Sequence, residues 1–353
     1  MTALDILKSA VEKMASDIFI GAGRCISFKI NGVILKQGDK PIDGAKTGEY
    51  LHELYGMAKR PITKYEKKGD DDFPVTIPGL ARFRISAYNQ RGTFAAIIRI
   101  VQFELPNYKD LSIPEEVMKI SGEKNGLVLV TGPAGSGKTT TLACIIDAIN
   151  STRNGHIITL EDPIEYLHKD KECIISQREI STDTESYISA MRACLRQAPD
   201  IILLGEMRDT ETIRIAMTAA ETGHLVISTL HTVGVANTID RIVDVFPAGQ
   251  QQQVRVQLAM LLRTVVSQQL LIKTSGGVTP AFEIMHVNSA IRNLIRESKT
   301  HQIDNAIQTS SNMGMISMDA YILKLVKDGG ITNETAVAAA SNKDMMIKIL
   351  GGK

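Results

Sequence analysis

The stretch Gly132-Pro133-Ala134-Gly135-Ser136-Gly137-Lys138-Thr139 decides the fold of this 353-residue chain. It fits the pattern G-x-x-x-x-G-K-[ST], in which the glycines let backbone amides close round phosphate oxygens. Lys138 supplies a positive charge, the Thr139 hydroxyl can ligate Mg²⁺, and Thr140 follows in the same first helical turn. The motif lies between an apolar strand pattern at 127–131 and a helical pattern at 139–149. The sequence therefore predicts binding of ATP or GTP together with Mg²⁺.

Apolar strand patterns alternate with helical patterns on both sides of this loop. The strand patterns cover 127–131, 156–160, 201–204 and 225–230. Continuous apolar strands separated by helices indicate a parallel sheet with both faces covered. From about residue 250 to the end the pattern is mostly helical, in several short segments. We therefore expect an α/β nucleotide-binding domain over 115–353, whose last part, about 250–353, is helical.

The first hundred residues have a different pattern. Apolar residues at helical spacing predict a helix over 3–15, and two alternating runs within 26–35 meet at Asn31-Gly32, a dipeptide typical of hairpin turns. A second β-rich block covers 73–100. These patterns predict a small α+β domain over 1–101. The segment 102–114 has two prolines and no clean period, which indicates an interdomain linker.

Composition narrows the class of partner. The chain has 40 Lys plus Arg against 39 Asp plus Glu, a net charge of +1, and no long block of either sign. This balance disfavours a purely electrostatic nucleic-acid or membrane binder. Aromatic residues make up 5% and Trp is absent, which disfavours base-stacking platforms. We therefore expect no nucleic-acid partner.

Cysteine usage and hydropathy bear on the compartment. The four cysteines are far apart and form no CxxC pair, so neither a disulfide framework nor a zinc site is indicated. No stretch reaches about 20 apolar residues, and the N-terminal pattern carries charges that a secretion signal lacks. The sequence therefore predicts a cytoplasmic protein without a transmembrane segment.

Acidic residues follow two of the predicted strands. Glu161, Asp162 and Glu165 come after the strand at 156–160, where carboxylates of a phosphate-loop protein can hold Mg²⁺ and its waters. A solvated acidic turn is the alternative. Glu206 follows the strand at 201–204, with Gly205 at the place where an aspartate is usual. This pattern favours Glu206 as a general base, and we expect burial at the strand end to raise its pKa. A helix-capping role is the alternative.

Two histidines, His224 and His231, bracket the strand at 225–230. A lone histidine is more often a structural group than a catalyst, so from the residues alone either role is open.

In this order and spacing the motifs resemble those of the type II/IV secretion ATPase superfamily. They are GPAGSGKTTT at 132–141, HIITLEDPIEY at 156–166, LRQAPDIILLGEMRD at 195–209 and TAAETGHLVISTLHT at 218–232. AIRNLIRE at 290–297 is similar to the C-terminal hallmark of the type IV pilus retraction ATPases, the PilT family. The resemblance covers essentially the whole chain, and the absence of a tetracysteine insertion argues against the pilus-extension ATPases.

The resemblance implies a PAS-like N-terminal domain followed by a RecA-like ATPase domain. It also implies that Gly132 to Thr139 bind nucleotide and that Glu206 is catalytic. Glu161, Asp162 and Glu165 would form an acidic box around Mg²⁺ and water, and His224 and His231 would form a histidine box. Arg84 and Arg99 would act as arginine fingers. Solvation on an exposed strand face is the alternative for either arginine.

The resemblance further implies a hexameric ring that hydrolyses ATP at the inner-membrane platform of a type IV pilus and powers pilus retraction and twitching motility. Its two domains would move about the 102–114 linker during turnover. The alternatives are an accessory retraction or secretion-system ATPase, and a RecA-like nucleic-acid motor. In the hallmark segment, Ile291, Leu294 and Ile295 form an apolar stripe, which fits either an ordinary packed helix or a helix needed specifically for retraction.

Overall fold

The computed structural model of the chain describes residues 1–30, 32–101 and 105–351. It divides into two compact units, one made of Met1–Glu104 with Glu165–Leu167 and the other of Leu105–Ile164 with His168–Lys353. Each unit has its own buried core, and each is described separately.

The described part of the N-terminal unit is an antiparallel six-stranded sheet with helices packed on it, in the order β3-β2-β1-β6-β5-β4. This confirms the expected α+β pattern. Its elements are α1 (Ala3–Glu12), β1 (Asp17–Gly21), β2 (Ser27–Ile30), β3 (Val33–Lys36), α2 (Gly44–Met57), α3 (Thr63–Lys68), β4 (Asp70–Ile77), β5 (Ala81–Gln90) and β6 (Thr93–Val101).

Side-chain alternation explains why this sheet has one covered face. On β5, Phe83 and Ile85 are fully buried while Arg84 between them is exposed, because successive residues of a strand point to opposite faces. The helix predicted over 3–15 ends at Glu12, and Met14 has a positive φ of 52°. The predicted hairpin is present as β2 and β3, although Asn31 of its turn lies outside the described residues.

The second unit is built on a seven-stranded sheet, counted over the described residues, in the order β13-β12-β7-β11-β10-β8-β9. Its elements are α4 (Glu115–Met118), β7 (Gly126–Thr131), α5 (Lys138–Thr152), β8 (Gly155–Glu161), β9 (Cys173–Glu179), α6 (Tyr187–Cys194), β10 (Ile201–Leu204), α7 (Thr210–Glu221), β11 (Leu225–Leu230), α8 (Val235–Asp244), α9 (Ala248–Leu261), β12 (Leu262–Ile272), β13 (Val278–His286), α10 (Ser289–Arg296), α11 (Ile303–Thr309), α12 (Met318–Lys327), α13 (Asn333–Ala339) and α14 (Lys343–Gly351).

Five neighbouring strand pairs of this sheet are parallel, which confirms the expected α/β class. In the register, Leu230 of β11 lies beside Thr131 of β7, and Leu204 of β10 lies beside Leu160 of β8. The carboxyl ends of these four strands therefore meet at one edge of the sheet. Hydrophobic clusters cover both faces, since Leu127 and Leu129 pack in one cluster and Val128 and Val130 in another.

The expectation of a mostly helical C-terminal part is confirmed, and this part also contains two strands. Helices dominate 250–351, but β12 and β13 form an antiparallel hairpin at Leu262–Ile272 and Val278–His286 that the sequence pattern missed. β12 also pairs with β7 in parallel. The hairpin therefore extends the central sheet directly beside the strand that leads into the phosphate loop.

The predicted linker 102–114 falls partly outside the described residues, at 102–104. From Leu105 onward the segment is grouped with the second unit. Ile113 is 5% exposed and packs in the core there, and the Cys144 thiol donates to the carbonyl of Pro106 at 3.5 Å. Residues 105–114 are therefore part of this unit's packing, and a hinge in the segment stays a prediction.

Within the described ranges, no helix is long and apolar enough to cross a membrane. Four cysteines, Cys25, Cys144, Cys173 and Cys194, are free and buried.

Candidate nucleotide site

The phosphate loop joins the end of β7 to the start of α5 in a conformation that requires glycine. Gly132, Gly135 and Gly137 have φ values of 142°, 76° and 87°, which side-chain-bearing residues rarely adopt. A Cβ atom on Gly132 would stand 2.1 Å from the carbonyl oxygen of Gln268. The loop is therefore closed tightly against β12, and at Gly132 only a glycine fits.

The start of α5 suits a bound anion. Its N-cap is Gly137, which has no side chain to cap the first turn, and the N-terminus of a helix favours an anion. Ser136 is 3% exposed, and its hydroxyl oxygen has no hydrogen-bond partner in the described structure. A buried hydroxyl in this position fits a loop whose missing partner is a phosphate oxygen.

Lys138 holds its charge at the mouth of the loop. Its Nζ donates to the carbonyl oxygens of Gly132 at 2.8 Å and Pro133 at 2.9 Å. The same nitrogen lies 3.5 Å from Nδ1 of His231. These contacts place the ammonium group among the backbone atoms that would surround a phosphate chain.

Gln268 on β12 is a site residue that the sequence reasoning missed. Besides the close approach of its carbonyl to Gly132, its side-chain Oε1 accepts a hydrogen bond from the Thr141 hydroxyl at 2.8 Å. Gln268 is 2% exposed and its neighbour Ser267 is fully buried. Two buried polar residues inside the apolar stretch 258–272 were the available signal, since buried polar groups are normally hydrogen-bonded to something.

Glu206 lies at the same sheet edge, two residues beyond β10. Its Oε2 is 3.3 Å from Nε2 of His231, and its Oε1 forms an ion pair with Arg208. The Glu206 side chain is 13% exposed. Successive contacts therefore link Lys138, His231, Glu206 and Arg208 along this edge of the sheet. The sequence had predicted only that the phosphate loop and the carboxylate would lie near each other.

The pKa of Glu206 is lower than expected. Burial at the strand end raises it, but the hydrogen bond and charge of Arg208, followed by those of His231, lower it by more. The net shift is below the usual glutamate value, so the prediction of a raised pKa is wrong. The sequence pattern indicated that the Glu206 side chain is buried, but it did not show that the Arg208 guanidinium pairs with the carboxylate.

The acidic box is only partly assembled at this edge. Glu161, the last residue of β8, is 8% exposed, and its Oε1 accepts from the Thr159 hydroxyl at 2.6 Å and from Gln177 at 3.2 Å. Asp162 and Glu165 are exposed, and Glu165 is grouped with the N-terminal unit. Of the three acids, Glu161 alone is held by hydrogen bonds at the end of a central strand of this sheet.

The described residues contain no cluster of three or more His, Cys, Asp or Glu side chains suited to a metal ion. In phosphate-loop proteins Mg²⁺ is usually held by substrate phosphates, water and one or two protein oxygens rather than by a protein cage. Thr139 is half-buried in the first turn of α5, and its role as a ligand of Mg²⁺ stays a prediction.

The two predicted histidines are not together. His231 follows β11 at the edge that carries the loop, whereas His224 precedes β11 at the opposite edge. There the His224 carbonyl accepts from the amide of Gly126, and its Nδ1 lies 2.9 Å from the carbonyl oxygen of Ala219. Within one protein chain, His231 alone of the pair reaches the phosphate loop.

The two predicted arginine fingers are neighbours in the N-terminal unit. Arg84 on β5 is directly opposite Arg99 on β6, and both are exposed on the uncovered face of the sheet. Arg99 donates through Nε to Asp17 at 3.1 Å, which orders one of the two guanidinium groups. Two arginine side chains therefore lie next to each other on this face of the sheet.

The hallmark segment forms α10. Ile291 and Ile295 are fully buried in the main core, and Leu294 packs partly against it. The apolar stripe is thus occupied by ordinary packing. The exposed face of the helix carries Asn293 and Arg296, with Glu297 just beyond its end.

A glycine-rich loop packed against a parallel sheet, with a histidine after the neighbouring strand and a carboxylate after the next strand, is the arrangement of a P-loop ATPase of RecA-like architecture. The family model described as "Type II/IV secretion system protein" matches residues 2–305. The chain belongs to this family and, within it, to the PilT family of ATPases.

Individual relatives agree along nearly the full chain. The chain is 43% identical to the "Type IV pilus retractation ATPase PilT" of Pseudomonas aeruginosa over 336 residues, 95% of this chain and 97% of the relative. It is 47% identical to the "Twitching motility protein" of Neisseria gonorrhoeae over 319 residues, 90% of this chain and 85% of the relative. The crystal structure of the pilus retraction motor PilT with bound ADP superposes with a TM-score of 0.90 at 44% identity, covering 98% of each chain.

Proposed function

We propose that this protein is the motor that retracts a type IV pilus, and that it obtains the work for pilin disassembly and twitching motility by hydrolysing ATP. The observation that carries the proposal is the contact chain from Lys138 through His231 to Glu206, which joins the phosphate loop to a carboxylate at the adjacent strand ends. The near end-to-end match to retraction ATPases supplies the biological task.

The phosphate loop binds and orients the nucleotide in this proposal. The loop amides of Ala134 to Gly137 surround the β-phosphate, and Lys138 moves from the loop carbonyls to the β- and γ-phosphate oxygens. The amides of Thr139 and Thr140 belong to the same anion-binding helix start. Mg²⁺, held by the Thr139 hydroxyl, phosphate oxygens and water, would neutralise the charge that develops on the leaving group.

Glu206 acts on the attacking water. The water oxygen bonds to the γ-phosphorus, the bond from that phosphorus to the ADP oxygen breaks, and the water proton passes to the Glu206 carboxylate. His231 holds the second carboxylate oxygen at 3.3 Å and thereby sets the orientation of the base. Because His231 also lies 3.5 Å from Lys138, it senses the position of the ammonium group.

The remaining residues have roles that rest on the resemblance. Glu161, Asp162 and Glu165 order water and Mg²⁺, and His224 belongs to the histidine box from the opposite end of β11. Arg84 and Arg99 act as arginine fingers, since a guanidinium fork on a moving domain makes hydrolysis depend on conformation. The assembly is a homohexamer that works from the cytoplasmic side on the inner-membrane platform of the pilus.

The alternatives within the family are an accessory retraction ATPase and a secretion-system ATPase. A RecA-like nucleic-acid motor is the alternative from another class, and a net charge of +1 with few aromatic residues speaks against it. ATPase activity that single-stranded DNA leaves unchanged would remove this alternative. A nucleotide-gated scaffold without turnover is decided by steady-state phosphate release.

The deciding experiment is deletion of the gene followed by complementation. Loss of retraction should give cells with more surface pili and no surface motility, and the wild-type gene should restore motility. The gene carrying Lys138→Ala should not, although its protein is expressed and folded. Normal motility in the deletion strain would reject the retraction function, while steady phosphate release by the purified protein would still support the ATPase.

A further inference from the structure

Both carboxylate oxygens of Glu206 are engaged by different partners. Oε1 is paired with the Arg208 guanidinium, and Oε2 lies 3.3 Å from Nε2 of His231. A carboxylate that accepts a charge-assisted bond from a guanidinium is well stabilised in its ionised form. It is therefore a poorer acceptor for a proton from water than the same group would be with a free oxygen.

The two partners differ in the contacts that they make besides Glu206. The His231 side chain is 58% exposed, and its Nδ1 also lies 3.5 Å from Nζ of Lys138. Arg208 is 67% exposed, and over the described residues its one ion pair is with Glu206. An exposed side chain with a single partner can rearrange at little cost, so Arg208 is the partner that can leave.

There is room beside Arg208 for such a movement. A cavity of about 290 Å³ is lined by Arg208 itself, by several apolar side chains and by two further basic ones. Its lining residues are Met207, Arg208, Ile213, Leu230, His231, Thr232, Arg241 and Val245. The guanidinium can therefore swing away from Glu206 without displacing the core of the unit.

We propose that Arg208 is a positioning residue for Glu206: while the two are paired, the carboxylate is restrained from taking the proton of the attacking water, and turnover requires the pair to open. The proposal rests on the proposed role of Glu206 as the general base. It makes Arg208 a lock on hydrolysis rather than a ligand of the nucleotide.

The charges around Glu206 set the sign of the expected effect. Burial raises its pKa, the hydrogen bond and charge of Arg208 lower it, and His231 lowers it further. Tyr187 of α6 and Asp162 beyond β8 also face the pair, and burial raises the pKa of Tyr187, which keeps this phenol neutral. Removal of Arg208 leaves burial opposed mainly by His231, so the pKa of Glu206 should rise.

The test is the pH dependence of kcat for phosphate release by the full-length protein. In Arg208→Ala, the acid limb of the profile should move to higher pH by about one unit, the low end of the effect of a close opposite charge. Arg208→Lys keeps the charge and should restore a limb near that of the wild type. Arg241→Ala removes a basic residue from the same cavity without touching Glu206, and should leave the limb in place.

Two results would overturn the proposal. One is an acid limb that is unchanged in both Arg208→Ala and Arg208→Gln, with thermal unfolding showing that the variants are folded. The other is loss of activity at every pH in these folded variants, which would make Arg208 a direct requirement for the reaction. Failure of the base assignment is recognised separately, because Glu206→Ala would then turn over ATP at the wild-type rate.

Discussion

His224 and His231 are joined by one buried strand and separated by its whole length. β11 runs between them, and at roughly 3.3 Å per residue the seven steps correspond to about 23 Å. His231 contacts Lys138 and Glu206 beyond the end of the strand, whereas the backbone of His224 pairs with Gly126 at the start of β7. Two residues that read as a symmetrical pair in the sequence therefore have different surroundings.

The first prediction follows from this separation. His231→Ala should lower kcat for phosphate release by about tenfold, less than loss of a direct proton-transfer group, because Glu206 loses the partner that orients it. His224, the other member of the proposed histidine box, contacts neither Glu206 nor Lys138 within the described chain, so His224→Ala should lower kcat by a smaller factor. Equal losses in the two folded variants would show that the two histidines act together, as across neighbouring subunits of a ring.

The second prediction separates binding from turnover. Lys138→Ala removes the charge at the mouth of the loop and should abolish both nucleotide binding and hydrolysis. Glu206→Ala leaves the loop intact and should bind ATP but not turn it over. Binding of a fluorescent ATP analogue and steady-state phosphate release distinguish the two, and binding lost in Glu206→Ala would contradict the assigned roles.

The third prediction concerns the fit of the loop against β12. Gly132→Ala should lower both the melting temperature and ATP affinity, since its Cβ would lie 2.1 Å from a backbone oxygen. Gly135→Ala is the control inside the same loop. Its φ is also positive, but no atom lies within 4 Å of the added carbon, so the loss should be no more than about 2 kcal/mol of backbone strain. Similar melting temperatures for the two variants would argue against the close contact.

The fourth prediction divides α10 into a packing face and a free face. Ile295→Ala should cost about 2–5 kcal/mol of unfolding free energy, because the side chain is fully buried. Arg296→Ala on the exposed face should leave stability and ATPase activity unchanged. If the helix serves retraction as the family resemblance implies, Arg296→Ala should nevertheless reduce surface motility, and normal motility would leave packing as the role of the helix.

The fifth prediction is a pH dependence of stability that comes from Glu283. This carboxyl on β13 accepts from the amide of Val235 at the start of α8, and burial raises its pKa to about 7 from 4.5. The folded chain therefore holds a proton between these pH values that the unfolded chain releases, so unfolding free energy should fall as pH rises from 4.5 to 7 and level off above.

The matched variant for this dependence is Glu283→Gln, which cannot titrate. Urea unfolding at a series of pH values should show a smaller decrease in stability between pH 5 and 7 in the variant than in the wild type. Asp304 is a second acid whose pKa is raised, by desolvation and by the charge of Asp319, and it leaves a residual slope in both proteins. Parallel curves for the two proteins would show that Glu283 does not carry the effect.

The central strands were predictable because of how they are buried. β7, β10 and β11 are buried at every position, so their sequences are continuous apolar runs bounded by helices. β12 and β13 were not predicted, because their sequences lack such a continuous apolar run. Ser267 and Gln268 place polar groups inside β12, and Pro280 interrupts β13, which tolerates it as the edge strand of the sheet.

The part of the site that a local motif defines was predictable from the sequence. The part that depends on which strands lie side by side was not. The loop from Gly132 to Thr139 is defined by its own glycines and lysine, so eight residues sufficed. The contact of His231 with Glu206 depends on β11 lying beside β10, and the brace by Gln268 depends on β12 lying beside β7. The pKa of Glu206 depends on the direction of the Arg208 side chain, which no pattern of residue types encodes.

The packing of Gln268 on β12 against the phosphate loop also constrains the order in which the site can form. Thr141 and Gln268 are 127 positions apart, so synthesis completes the glycine-rich motif long before the strand that closes it. Contacts between such distant parts of a chain carry a loop-closure cost that slows folding. A fragment ending at Leu261 would carry every residue of the phosphate motif without the β12 residue that packs against its loop.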